Sequence, residues 1–315
     1  MQKFSNKPEN MGAEMLEGLV LAHQELVTLT ADNIIVSKKL SEADRVTVVA
    51  FGALGNEPAL SGFVGEGLLD AFVAGDLLAA PGPAACMKAL GLADKGKGVL
   101  LVCANHTGDR LTANIVLKQA QKLGLNVALV EVHDDAAQAD RAHLHERRGL
   151  CGCVPVCKVA AAAAACGKTL PEVAALAQHF ADNMATIAVA AAGEQLAVGV
   201  GLHGEAGARL EPMLSADIVA AKLTEKLVAD LAVRAGEKLL VILSGSGATT
   251  LMQQLVLFRA VYAKLSELGL SVAASYVGEL QTLQEAAGFE LCFAQLDDEL
   301  LALWQAKCQA PYFKN

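Results

Sequence analysis

The sequence predicts an α/β protein of two domains, each organised around a mainly parallel sheet. Short runs of β-branched and other apolar residues alternate with longer segments whose apolar residues recur at helical spacing. That rhythm is the mark of βαβ units, whose sheets are covered on both faces. The 315 residues are enough for two cores, at about 150 residues per domain. Hydrophobic residues make up 54% of the chain and aromatics only 4%. The apolar excess is therefore Ala, Val and Leu, which suits buried packing better than a recognition surface.

In chain order, residues 46–53, 99–104 and 127–132 read as buried strands, each nearly all apolar and closed by a turn rich in Gly or Asp. Residues 84–92 and 111–123 between them read as helices. A polar stretch, 133–149, interrupts the alternation. Helices are expected at 154–165 and 171–184, the second with Thr169 as its cap and Pro171 in its first turn. Beyond this, 186–192 and 196–202 are strand-like and 214–235 is a long amphipathic helix. Strand, helix and strand follow at 238–243, 249–268 and 270–277. A last strand at 292–296 precedes a short helix, 297–305, which carries the only tryptophan, Trp304. The expected domains are 1–184 and 185–315.

Composition excludes several functions. Acidic residues outnumber basic ones by 34 to 25, for a formal charge of −9, so no basic face for phosphate contacts to nucleic acid is expected. Residues 1–8 lack the apolar stretch of a secretory signal. The most apolar runs, 46–54 and 159–166, are short of the roughly 20 residues that span a bilayer. The chain reads as soluble and cytoplasmic. Four of its eight cysteines cluster as Cys151, Cys153, Cys157 and Cys166. Their spacers are Gly, Val and Pro, followed by polyalanine, rather than the turn-forming knuckles of a zinc site. They read as small buried side chains, with no metal.

Chemistry is expected where loops leave the carboxyl ends of strands. Four loops qualify: Gly52-Ala53-Leu54-Gly55-Asn56-Glu57-Pro58, Asn105-His106-Thr107-Gly108-Asp109, 201–207 and 244–250. Each can also be a simple tight turn. Neither loop of the first domain spells a dinucleotide fingerprint or a P-loop with its lysine. His203 lies between Leu202 and Gly204, where an imidazole has little packing role. Its neutral nitrogen could accept a proton or attack a carbonyl carbon. Asp109 reads either as the cap of a helix starting near Arg110 or as a carboxylate for a substrate hydroxyl. His143 and His145 fall in the polar stretch and carry no convincing metal spacing.

These loops together resemble the DhaK family, the dihydroxyacetone-binding subunits of bacterial dihydroxyacetone kinases. The matches run in order: residues 15–23, Gly55-Asn56-Glu57-Pro58, Gly62-Phe63-Val64-Gly65, Asn105-His106-Thr107-Gly108-Asp109, Asp134-Asp135 and Arg147-Arg148-Gly149. The most specific is Gly199-Val200-Gly201-Leu202-His203-Gly204-Glu205, and Gly278-Glu279 and Ala287-Gly288-Phe289 follow it. The resemblance implies a homodimer that holds a short ketose, dihydroxyacetone or a relative, as a covalent hemiaminal. His203 would attack the carbonyl carbon and Asp109 would contact a substrate hydroxyl, while Gly52, Ala53, Gly55, Asn56 and His106 would complete the ligand loops. A separate ADP-carrying DhaL subunit would supply the phosphoryl group, so this chain needs no cofactor of its own.

Departures from the family pattern qualify the activity. Where kinase members carry a histidine that assists proton transfer, this chain has Asn56, and an amide is no base near neutral pH. Ala80 replaces a hydroxyl residue and Ala104 a lysine, while His106 stands where the family has tyrosine. The segment between Ala190 and Gly199 is shorter than the family's. Loss of a general base costs about 10²–10⁴ in rate. The combination implies a kinase-impaired paralogue that acts as a ligand sensor or co-activator, like the DhaQ branch, and signals to a transcriptional regulator. The alternative is an active DhaK subunit working with a DhaL partner.

Overall fold

The computed structural model describes residues 4–283 and 286–315. Residues 1–3, part of the stretch read for a leader, lie outside the described residues. Two compact units emerge. The first comprises Met1–Val130, Cys157–Ala177 and Gln305–Asn315, and the second Glu131–Val156 and Gln178–Trp304. A single cut at residue 184 does not describe this division, because the chain leaves the first unit and re-enters it. No helix among the described residues is long and apolar enough to cross a membrane.

In the first unit, α1 (Met11–Ala22) precedes β1 (Val27–Leu29), β2 (Ile34–Ser37), β3 (Thr47–Leu54) and β4 (Ala71–Leu77). Then come α2 (Pro83–Ala93), β5 (Val99–Ala104), α3 (Thr107–Lys122) and β6 (Val127–Val132). The six strands form one sheet in the order β1-β2-β4-β3-β5-β6. β3 runs parallel to both β4 and β5, whereas β2 is antiparallel to β1 and β4. Val49, Phe51, Val73, Leu101 and Cys103 point from this sheet onto Ala89, Leu90, Ala113 and Val116 of α2 and α3. Because β3 and β5 are parallel neighbours, their following loops leave the same sheet edge side by side. Strands 99–104 and 127–132 lie where expected. β1, β2 and β4 were not anticipated, since they are short or sit among glycines.

The chain continues through α4 (Cys153–Ala165) and α5 (Leu170–Asp182) to β7 (Met184–Ala192), β8 (Gln195–Val198), β9 (Arg209–Pro212) and α6 (Ala216–Leu231). It then forms β10 (Lys238–Gly245), α7 (Leu251–Glu267), β11 (Ser271–Gly278), β12 (Gly288–Leu296) and α8 (Asp298–Gln305), and ends in the short hairpin β13 (Gln309–Ala310) and β14 (Phe313–Lys314). The second sheet has the order β11-β10-β12-β7-β8-β9.

Here the expectation of mainly parallel strands fails. Among the described residues of this sheet, β10 and β11 pair in parallel, whereas β10–β12, β12–β7, β7–β8 and β8–β9 are antiparallel. The cause is connection length, because a parallel return needs a crossover of a dozen or more residues. β7 turns into β8 through Gly193 and Glu194 alone, with Ala192 paired to Gln195 and Gly193 at φ 63°.

The period-2 alternation of the second sheet separates its faces. Ala185, Ile187, Val189, Val241, Leu243, Leu291 and Phe293 pack beneath Val219, Leu223 and Leu227 of α6 and Val261 and Leu265 of α7. The opposite face carries Thr186, Ala188, Ser244, Glu290 and Cys292, an unusually polar set for a buried surface.

Candidate functional site

In the first unit, the loop after β3 is fixed from both sides. Gly55 has φ 110°, and a Cβ there would crowd Leu77 and Leu78, so the turn needs glycine. Its N–H donates to Glu57 Oε1 at 3.0 Å. Asn56, next in the chain, is buried, and Gly52 and Ala53 lie half-buried at the end of the strand.

The adjacent loop, after β5, runs directly into α3. The helix begins at Thr107 with His106 as its N-cap residue. Asp109 is therefore the third residue of the first turn and not the cap, correcting the capping alternative read from sequence. The true cap position was obscured because His106 supplies no capping side-chain bond. Asp109 is only 5% exposed, and its Oδ1 has no hydrogen-bond partner. Burial pushes its carboxyl up to about 7. An orphaned, desolvated oxygen is costly unless something fills it, and a ligand hydroxyl has the right chemistry.

Ala80 belongs to the same neighbourhood. A Cβ on Gly108 would stand 3.4 Å from the Ala80 Cβ, and the Thr112 hydroxyl of α3 donates to Pro81 O at 3.1 Å. The hydroxyl absent at Ala80 would thus have faced the first turn of α3.

In the second unit, His203 sits on the turn joining β8 to β9. Gly199 N–H donates to Ala188 O at 2.7 Å and Gly201 N–H to Glu205 O at 3.1 Å. Leu202 packs with Leu150 and Ala188. His203 N–H donates to Glu205 Oε2 at 2.8 Å, and Glu205 Oε1 stands 4.0 Å from His203 Nδ1. The imidazole is half-buried, and desolvation lowers its pKa; Glu205 opposes that shift and Arg148 reinforces it. It is therefore mostly neutral near pH 7, the state in which a ring nitrogen has a lone pair to give.

Sequence reasoning gave Arg148 and Asp135 no role. The Arg148 guanidinium spans Asp135 Oδ2, at 2.9 and 2.6 Å, and Gly199 O, at 3.0 Å. It thus ties the polar stretch to the glycine turn that presents His203. The only visible signal was the acidic and basic pairs at 134–135 and 147–148, whose partners lie far apart in the chain.

The remaining candidates have structural roles. Ser244 Oγ accepts from Leu280 N–H, and the Gln254 amide donates to Thr249 O, so the 244–250 loop is knitted to its own surroundings. The capping box of α7 is complete between Thr250 and Gln253. His143 and His145 have ring centroids 6.4 Å apart within a short 3-10 segment. None of the eight cysteines forms a disulfide, and seven are buried; Cys166 is exposed at the end of α4, where the helix frays into a turn.

Residues 17–312 match the Dak1 domain. The chain is 32% identical over 314 residues to the dihydroxyacetone-binding subunit DhaK of a PTS-dependent dihydroxyacetone kinase of Listeria innocua, covering 95% of each chain. It is 31% identical to the DhaKLM operon coactivator DhaQ of Lactococcus lactis, covering 94% of this chain and 95% of that one. A solved structure described as regulation of the dha operon of Lactococcus lactis superposes with a TM-score of 0.91 at 29% identity, covering 99% of this chain and 98% of the other. The glycine turns, the Asn105–Asp109 loop and the Gly199–Glu205 turn thus belong to a chain matched almost end to end, and the protein is a member of the Dak1-domain family, the DhaK family.

Proposed function

We propose that this protein captures dihydroxyacetone or a related short ketose as a hemiaminal on His203 and reports its presence as a sensor or co-activator. The observation that carries the reading is the His203 imidazole, kept neutral by burial and held on a glycine turn whose conformation Glu205 and Arg148 secure.

With Nδ1 on the Glu205 side, Nε2 is the nitrogen that adds. Its lone pair forms the bond to the carbonyl carbon, and the carbonyl π pair moves to oxygen, which takes a proton. The Nδ1 proton leaves the ring towards Glu205 or solvent, so the net change is addition of N–H across C=O with nothing expelled. Asp109, with its unpartnered Oδ1, is assigned to a ligand hydroxyl. A homodimer and a cytoplasmic location belong to the same reading.

The sensor role rests on residue chemistry. Asn56 occupies the place of a base without being one, and Ala80 and Ala104 remove a hydroxyl and a cation. The similarity to an operon coactivator is consistent with this. Asp109 favours the second reading, a working DhaK subunit with a DhaL partner, because a carboxyl titrating at about 7 can itself serve as a base.

Carbon-13 NMR with carbonyl-labelled dihydroxyacetone tests the covalent step. Wild type should convert the ketone resonance into that of a tetrahedral carbon, and His203→Ala should leave it unchanged. A tetrahedral signal that survives His203→Ala would refute the assignment.

Turnover with a DhaL partner then separates the two readings. In a sensor limited by the missing base, Asn56→His should raise phosphoryl transfer by roughly 10²-fold or more. Rapid turnover by wild type, lost in Asp109→Asn, would instead establish the kinase.

A further inference from the structure

The polar face of the second sheet holds a group of side chains that ligand capture does not use. Asp134, Cys151 and Cys292 are all fully buried, and their ligand atoms lie within 4.8 Å of one another. Cys292 lies opposite Thr186 across the β7–β12 pair, and Glu290 projects from the same face two residues earlier. Asp134 is held rigidly. Its Oδ1 accepts from Leu150 N–H at 2.7 Å, and its Oδ2 from Gly152 N–H at 3.1 Å and from the Thr186 hydroxyl. A Cβ on Gly152 would strike Asp134 Oδ2 and Met184 Sδ, so glycine is what lets this loop close over the carboxylate.

Glu290 is the independent observation. It is 0% exposed, and neither carboxyl oxygen has a hydrogen-bond partner of ordinary geometry. The Cys151 thiol and amide face it too loosely to count as full hydrogen bonds, although they still favour its charged form, while the Asp134 charge opposes it. Arg148, the cation beside Asp135, is committed to that carboxylate and to Gly199 O. One carboxyl and two thiols thus converge in a dry interior, with a second carboxyl on the same sheet face whose two oxygens are both unsatisfied. Each unsatisfied buried oxygen is costly.

We propose that Asp134, Cys151, Cys292 and Glu290 form a buried structural site for one thiophilic divalent cation of the zinc class. Two sulfur and two oxygen donors suit tetrahedral zinc. Its usual bond lengths put neighbouring donors about 3.3–3.8 Å apart. Asp134, Cys151 and Cys292, within 4.8 Å of one another, therefore need only contract, while Glu290, which stands outside that group, would turn its carboxylate in to complete the site. The cation would give the Glu290 oxygens their missing partner and offset the adjacent Asp134 charge. Binding releases the thiol protons and any carboxyl proton, so loading accompanies folding rather than diffusion into a finished core.

The site would fasten the 134–152 segment, with Arg148 at its end, to β7 and β12. The spacing of Cys151, Cys153, Cys157 and Cys166 gave no hint of it, because the other donors come from 134, 290 and 292.

The test uses full-length protein expressed in medium supplemented with zinc, or with cobalt as a spectroscopic probe, and purified without added metal. Mass spectrometry for metals should find about one zinc per chain. The cobalt form should show thiolate-to-metal charge transfer in the near ultraviolet. Cys292→Ser should remove about half of that band or more, since Cys151 is the one thiolate left, and Cys166→Ser, at the exposed cysteine, should leave it intact. Should Cys292→Ser fail to fold, Glu290→Gln, which keeps size and removes a charged ligand, should still shift the visible cobalt bands. Folded wild type with no bound metal after either supplementation overturns the proposal. So does a metal whose spectrum is indifferent to both Cys292→Ser and Glu290→Gln.

Discussion

Arg147→Met is expected to destabilise the second unit by about 3–5 kcal/mol, the usual consequence of removing one partner of a buried ion pair. The Arg147 side chain is fully buried. Its guanidinium meets Asp230 in a two-pronged contact, Nη1 to Oδ2 at 2.9 Å and Nη2 to Oδ1 at 2.6 Å, while Nε donates to Ala139 O at 2.9 Å. Asp230 lies in the last turn of α6, where a negative charge opposes the helix dipole. Without Arg147, that carboxylate would be left mostly buried at the unfavourable end of its helix. Arg141 Nη1, 3.8 Å away, offsets only part of the loss, which favours the lower end of the range.

Urea denaturation of the single and double variants checks this. Arg147→Met combined with Asp230→Leu should recover most of the stability, because two apolar side chains carry no stranded charge. A single variant within about 1 kcal/mol of wild type would show that the pair is not an anchor. Arg148, the next residue, holds Gly199 O at the start of the His203 turn. The single variant should therefore also weaken ketose capture, in proportion to how far the polar stretch loosens.

What could be read from sequence follows from where the determining contacts lie. β5 and β6 were legible because 99–104 is a continuous apolar run and 127–132 is apolar but for Glu131, each with a turn at its end, a purely local signal. β4 was lost among Gly62, Gly65, Gly67 and Gly75, whose small side chains mask the strand pattern. These glycines have tertiary causes: a Cβ on Gly65 or Gly67 would collide with residues 307–310, and one on Gly75 with residues 79–81. The direction of β12 was likewise missed, since it follows from the nine-residue connection after β11, shorter than the dozen or more a parallel return needs, and not from the strand's own residues.

The site divides in the same way. His203, Asn56 and Asp109 stand out because polar side chains beside glycines at strand ends have few packing explanations. Arg148 with Asp135, and Asp134 with Thr186, are joined across 13 and 52 positions, and nothing local announces such a partnership. The departures at Asn56 and Ala80 were legible as chemistry, but only the structure shows Ala80 facing the first turn of α3.

Asp109→Asn should separate the cost of a buried carboxyl from its use. Asp109 titrates at about 7 when folded, against about 3.9 for an unperturbed aspartate. Between those values the folded state binds more protons than the unfolded one. Asp109 therefore contributes no penalty below pH 4, and wild type progressively loses stability as pH rises through 7. The full span corresponds to roughly 4 kcal/mol. The asparagine variant removes this pH dependence. Relative to wild type, it should gain about 2–4 kcal/mol in urea denaturation at pH 8 compared with pH 4. Parallel curves would mean that Asp109 is not desolvated.

Ligand affinity should move in the opposite sense. A ketose hydroxyl donating to Asp109 Oδ1 needs the ionised carboxylate, whose fraction rises about tenfold from pH 6 to pH 8 for a group titrating near 7. Wild-type affinity should increase by that factor over the interval. His203, with its pKa below the ordinary 6.5, contributes its own rise lower on the scale. In Asp109→Asn the step between pH 6 and 8 should vanish while the His203 step remains. An affinity that instead falls across pH 7 in wild type would mean that protonated Asp109 is the donor, and the polarity of its bond to the ligand would be reversed.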